Sequence, residues 1–335
     1  MLKKLIARQM VNRQRKDFPV EYLEQKHLDL SLPFPNDSSF FYGGDKEGNA
    51  FICRMAFRDP KRKHEYWFDF LLKDLGFFGI KDDPGPDGVG FRMGNLKWEP
   101  IEIGKSWRIN YHGILKDEKG SPHDSIVDLV FTGEHPIYNF ADSSDRNLIA
   151  HAIASEKWTK DFFLKLKELS QTHIEQTGNI KGTLILDGNK YDLDFRAMKD
   201  HTFGSRTWLT WDRHYWISGL AENGYQWTVT TIRYDFLGRL TAGFVIDKEG
   251  GTDAIVDCTN LEEISQEQLL PDHGIITLKM RSGKTHILEF FRNGHFPYLM
   301  DDSYSMYEAI GTYKFNGSDG LGMVEFGFKR ERYKI

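Results

Sequence analysis

The chain has 335 residues, a length that suits two domains and a large buried core. A net charge of −5 argues against a nucleic-acid surface, which would call for a basic domain. Two cysteines, Cys53 and Cys258, are too few for a disulfide framework and lack the spacing of a zinc site, so two buried free thiols are expected.

Aromatic residues make up 14% of the chain, and Phe, Tyr and Trp suit sheet surfaces better than helix interiors. The N-terminus, MLKKLIARQMVNRQRK, has no apolar h-region, and no run approaches the ~20 apolar residues of a membrane span. A soluble, cytoplasmic protein is therefore expected. Leu2, Leu5, Ile6, Met10 and Val11 fall on one helical face among basic residues. They predict a short N-terminal helical segment within residues 1–30, docked on the chain or touching a membrane surface through residues 1–16.

From residue 38 the pattern turns to period two. Ser39–Tyr42, Ala50–Phe57 and His64–Leu72 read as strands, the last two joined by a charged turn at 58–61. Residues 80–100 read as loop, with one short strand near Phe91. Trp107–Leu115 and Ser125–Phe131 form a further pair. Between 142 and 174, Trp158, Phe162, Phe163, Leu166 and Leu169 recur at three and four, which predicts one amphipathic helix. Strands resume at Ile180, with hairpin turns at Asp187-Gly188-Asn189 and Glu222-Asn223-Gly224, and continue to Phe328. Short strands joined by Gly and Asn turns predict a mostly β protein. The expected layout is a β domain over 31–175 that ends in a helix, followed by a second β domain over 176–335. A single large β-sandwich is the alternative.

Asp194–Gly219 (DFRAMKDHTFGSRTWLTWDRHYWISG) is the densest window of rings and titratable groups. No Walker loop, G-x-G-x-x-G, H-E-x-x-H or G-x-S-x-G occurs, so no cofactor and no metal are expected. Asp200 beside His201 at a strand end suggests a proton donor and its relay, since burial raises a carboxyl pKa. Trp208, Trp211 and Trp216 could stabilise a cationic intermediate. Tyr304 adds a polar-tipped ring, Glu325 sits in the last strand where it could face the same interior, and Arg206 could hold a ligand carboxylate. The alternative makes Asp200 and His201 strand-end structure and the tryptophans core. His112, His135, His214, His273 and His295 lack metal-ligand spacing and read as surface or loop.

Gly178-x-x-x-Gly182-x-Leu184, Asp187-Gly188 and Asp200-His201-Thr202-Phe203-Gly204, with Arg206 and Trp208, resemble the D-H-[ST]-[WF]-G-x-R-x-W block of AttH-like proteins. These belong to the wider carotenoid 1,2-hydratase and tocopherol-cyclase-like group. Ser39-Phe40-Phe41-Tyr42, Asp45-Lys46-x-Gly48-Asn49, the Arg54 strand and Glu65-x-Trp67 are similar too, so the likeness covers most of 38–330. The resemblance implies two tandem lipocalin-like antiparallel β-barrels with a ligand cavity at or near their junction. It also implies cofactor-free hydratase, cyclase or isomerase chemistry on isoprenoid or polyketide-like molecules. Among residues thought catalytic in that group, it carries over Asp200, His201 and Trp208. The expected partner is a hydrophobic, unsaturated small molecule. A lipophilic carrier, or an interaction module with filled barrels, are the alternatives.

Overall fold

A computed structural model describes residues 2–13, 18–59, 65–80, 90–266 and 268–333. The turn expected at 58–61 and the loop expected at 80–100 lie partly outside these residues, as do Arg15 and Lys16. Two helices open the chain, α1 (Leu2–Arg13) and α2 (Val20–Leu23). No helix among the described residues is long and apolar enough to cross a membrane.

The chain divides into two compact units. One comprises Phe18–Tyr138 and Gln171–Ser205, the other Met1–Asp17, Asn139–Ser170 and Arg206–Ile335. Position 175/176, the expected boundary, falls inside a long strand of the first unit.

The first unit carries β1 (Pro35–Gly44), β2 (Ala50–Arg58), β3 (Glu65–Leu72), β4 (Gly76–Gly79), β5 (Phe91–Met93), β6 (Leu96–Glu102), β7 (Ser106–Asp117) and β8 (Pro122–Gly133). After the two-residue β9 (Tyr138–Asn139) come β10 (Gln171–Leu186) and β11 (Asn189–Ser205). Their order is β4-β3-β2-β1-β11-β10-β8-β7, and a short pairing of β4 with β7 at Phe78↔Asp117 and Gly79↔Lys116 closes a ring of eight. β6 and β5 continue from β7, so residues 96–100, expected as loop, belong to a strand. Alternation sets the walls: in β7, Trp107, Ile109 and Tyr111 are buried while Arg108 and His112 are exposed. The turn between β10 and β11 is Asp187-Gly188, both at positive φ (49° and 80°), as a tight two-residue hairpin requires. Phe41, Phe51, Phe68, Trp107 and Phe131 fill the interior.

The second unit is a closed antiparallel barrel of consecutive strands: β12 (Trp211–Ala221), β13 (Gln226–Tyr234), β14 (Leu240–Ile246), β15 (Thr252–Cys258), β16 (His273–Met280), β17 (Thr285–Met300), β18 (Tyr304–Phe315) and β19 (Ser318–Lys329). Its interior is packed with Tyr215, Trp227, Phe290, Phe315 and Phe326. Both interiors are thus occupied by aromatic core.

Closure of this barrel needs Gly322. A Cβ there would stand 2.0 Å from the Ser218 carbonyl and 2.5 Å from the Gly219 Cα. Backbone cannot yield as a flexible side chain would, so Gly322→Ala is expected to cost at least the ~1–3 kcal/mol of an overpacked core. Urea unfolding checks this, and an unchanged midpoint would contradict it.

The helix expected over 142–174 is instead α3 (Phe140–Ser143), α4 (Arg146–Ser155) and α5 (Lys160–Glu168). Asp145 caps α4 by accepting from the Leu148 N–H, and Thr159 caps α5 by accepting from that of Phe162. Trp158 Nε1 donates to the Ile153 carbonyl at the end of α4, and so fixes the break. Ala7 of α1 packs with Ala150, Ile153, Ala154 and Phe162, so α1 belongs to the barrel unit and not to a separate segment. Its Leu2 and Leu5 stay exposed.

Candidate functional site

Asp200 and His201 both lie in β11, and neighbours in a strand face opposite ways. They therefore do not form the expected pair. Leu193, Phe195 and Ala197 face the core of the first ring, and Lys199, His201 and Phe203 continue that row. His201 Nδ1 lies 2.8 Å from the Leu23 carbonyl and Nε2 lies 2.8 Å from Asp37 Oδ1. Lys199 Nζ donates to Glu24, which also accepts from Trp107 Nε1, and the Trp107 ring centroid lies 4.8 Å from Nζ. Burial pushes the Lys199 pKa down, against the pull of Glu24. The His27 backbone N–H donates to Asp37. Leu23 packs on Phe203 and Ile174. Every named polar group here has a partner, so the cluster fastens the segment around α2 into the ring.

Asp200 faces the other way. Its Oδ2 is 3.5 Å from His173 Nδ1. That histidine is held by Thr202 Oγ1 at 2.7 Å and Glu175 Oε1 at 2.8 Å.

The second unit gathers four of the remaining expected residues around a histidine that the sequence placed at the surface. His214 is 2% exposed in β12. Tyr215 and Ile217 face the barrel core, so His214 projects from the outer wall. Val324 and Phe326 face the core likewise, which puts Glu325 on the outer wall and not in the interior. His214 Nδ1 lies 2.5 Å from the Tyr304 hydroxyl, and Nε2 pairs with Glu325 Oε1. With Tyr304 donating to Nδ1, Nε2–H donates to Glu325. Burial first, then the Glu325 carboxylate, pushes the Tyr304 phenol well above its usual range, so it stays protonated.

Tryptophans wall this chain. Trp208 stacks on Tyr304 at 5.6 Å, and Trp211 meets His214 edge-on at 5.0 Å. The two indoles lie 4.6 Å apart. Trp208 sits on a single 3-10 turn, Trp208–Thr210, and its backbone N–H donates to Asp301 Oδ2 at 3.1 Å. Asp301 itself is at φ 44°. A register slip between Trp211 and Arg213 re-aims Trp211 at the start of β12. Trp208 Nε1 and Trp211 Nε1 are buried, with no hydrogen-bond partner among the described residues. Arg206 holds its guanidinium 5.0 Å from the Trp208 ring. Trp216 follows His214 on the same wall, its Nε1 donating to Thr228 Oγ1 at 3.0 Å.

His214 was legible. Its neighbours Tyr215 and Ile217 alternate with it, which marks one face of a strand. Lys199, Asp37 and Glu24 carried no local signal, because their partners lie far along the chain. Among the described residues no group of three or more His, Cys, Asp or Glu has the arrangement of a metal site.

Residues 23–330 match the family model described as a domain of unknown function, DUF7064. No curated protein sequence matches the chain. Among solved structures, it is similar to a Nitrosomonas europaea protein described as AttH, with a TM-score of 0.56 and 12% identity over 93% of this chain and 96% of that one. It is also similar to kievitone hydratase from Nectria haematococca, with a TM-score of 0.50 and 10% identity over 88% of each chain. At these identities the likeness is one of fold.

Proposed function

The chain belongs to the DUF7064 family, and we propose that it is a cofactor-independent hydratase or cyclase acting on a hydrophobic, unsaturated small molecule. The observation that carries this is the buried Tyr304–His214–Glu325 chain walled by Trp208 and Trp211. A hydroxyl, an imidazole and a carboxylate in sequence move a proton without building up charge at either end. Tyr304 is the group that meets the substrate. It takes a proton from an incoming hydroxyl while passing its own to His214 Nδ1, and Glu325 holds the imidazolium. The same chain then returns a proton to carbon. Water as the incoming hydroxyl gives hydration, and a substrate hydroxyl gives ring closure.

On this reading the chemistry lies on the outer wall and not in a lumen, since aromatic core fills both interiors. His201, tied to Leu23 and Asp37, has a positioning role. The shared fold with a protein named as a hydratase agrees with this reading.

The test is turnover in D2O of lipophilic alkenes found by solvent extraction and native mass spectrometry of the purified protein. Each product molecule is expected to gain one carbon-bound deuterium. Binding of such a ligand with no product, and no deuterium gained, would instead make the protein a carrier.

A further inference from the structure

Two orphan indole N–H groups on neighbouring rings narrow the substrate. Trp208 and Trp211 are both more than nine-tenths buried, and their Nε1 atoms meet no acceptor among the described residues. A buried donor left without a partner costs about 1–3 kcal/mol, so native proteins rarely keep one without a use. Here there are two, on rings 4.6 Å apart, both packed around the Tyr304–His214 pair. Trp216, one pleat further along the same wall, shows the contrast: its Nε1 is satisfied by Thr228. Trp98 and Trp227 also leave Nε1 unmet, but each lies in the packed core of a different unit; Trp208 and Trp211 are neighbours and flank the proton chain. Apolar rings with two N–H donors suit a lipophile that brings its own oxygen acceptor. A plain polyene would leave both donors unmet.

We propose that the site takes α,β-unsaturated carbonyl compounds, with the carbonyl oxygen held by Trp208 Nε1 and Trp211 Nε1; this rests on the proton-transfer reading of the same site. The donors then have a mechanistic use. As the incoming hydroxyl oxygen bonds to the β-carbon, its proton goes to Tyr304 and that of Tyr304 to His214. The C=C π pair moves toward the α-carbon and the carbonyl oxygen, where negative charge gathers beside the two N–H groups, as in an oxyanion hole. The proton returns to the α-carbon. One C=C π bond and one O–H bond break, and one C–O and one C–H bond form. No oxidant or reductant is needed.

The experiment compares binding of 2′-hydroxychalcone and β-ionone, both conjugated ketones, with binding of trans-stilbene, a hydrocarbon, by titration calorimetry on the full chain. The ketones are expected to bind roughly tenfold or more tighter than stilbene, since each neutral hydrogen bond contributes about 0.5–1.5 kcal/mol. Placing β-(3-benzothienyl)alanine at Trp208 or Trp211 keeps the ring and replaces the N–H by sulfur. It should weaken ketone binding roughly three- to tenfold each and leave stilbene unchanged. Equal affinity for ketones and hydrocarbon, indifference of ketone affinity to the sulfur analogues, or no binding of either ketone would overturn the proposal. Ketones that bind as expected but gain no deuterium from D2O would leave this inference standing and remove the catalytic reading instead.

Discussion

Glu24→Ala is expected to lower unfolding stability by about 3–5 kcal/mol, the usual cost of stranding one charge of a buried pair. Lys199 is 3% exposed, and Glu24 is both its ion-pair partner and the acceptor for Trp107 Nε1. Removing the carboxylate strands an ammonium and an indole N–H together. Total domain stabilities run to only about 5–15 kcal/mol, so the loss should be plain in urea unfolding. Lys199→Met made on top of Glu24→Ala is expected to recover most of it, because a methionine fits the aromatic surroundings without a charge. A shift under about 1 kcal/mol for Glu24→Ala alone would mean that solvent reaches Lys199 and that the α2 segment is not locked by this pair.

His214→Gln is expected to reduce turnover about 10²–10⁴-fold, the range of a lost acid–base group, with a much smaller change in unfolding midpoint. Glutamine can keep one hydrogen bond on the outer wall, yet it cannot shuttle a proton between Tyr304 and Glu325. Kinetics on a substrate found by extraction, measured beside a thermal melt, separates the two effects. Full turnover in a folded His214→Gln protein would remove the relay.

Much of this was legible in the chain. Asp187-Gly188 and Glu222-Asn223-Gly224 marked hairpins that the structure contains, because tight turns need residues that tolerate positive φ: both Asp187 and Gly188 in the first, Gly224 in the second. Trp208, Trp211, Tyr304 and Glu325 were named from their chemistry, and the structure gathers them. Their centre, His214, was missed although strand alternation pointed to it. The same rule separates Asp200 from His201, a pair that looked plausible only because adjacency in sequence was read as adjacency of side chains. The break at Trp158-Thr159 was written in a cap residue, Thr159, that the helical period overran. What no local pattern carries is the closure of a ring. The β4–β7 pairing rests on two residue pairs some forty positions apart, and the Lys199–Glu24 pair spans 175.

The first ring draws its wall from two stretches of chain, Pro35–Gly133 and Gln171–Ser205, with material of the other unit in between. During synthesis β1 therefore emerges about 150–170 residues before the residues of β11 that cover its free edge. At about 5–20 residues per second that edge waits on the order of ten to thirty seconds. An open edge is a template for wrong pairing, and a chain whose first barrel closes only after its intervening segment has been made must be sheltered for that interval. The second barrel, built from consecutive strands, faces a shorter wait: the free edge of β12 is covered by β19, about 100–115 residues later. The first ring is complete at Ser205, before the first strand of the second barrel begins at Trp211.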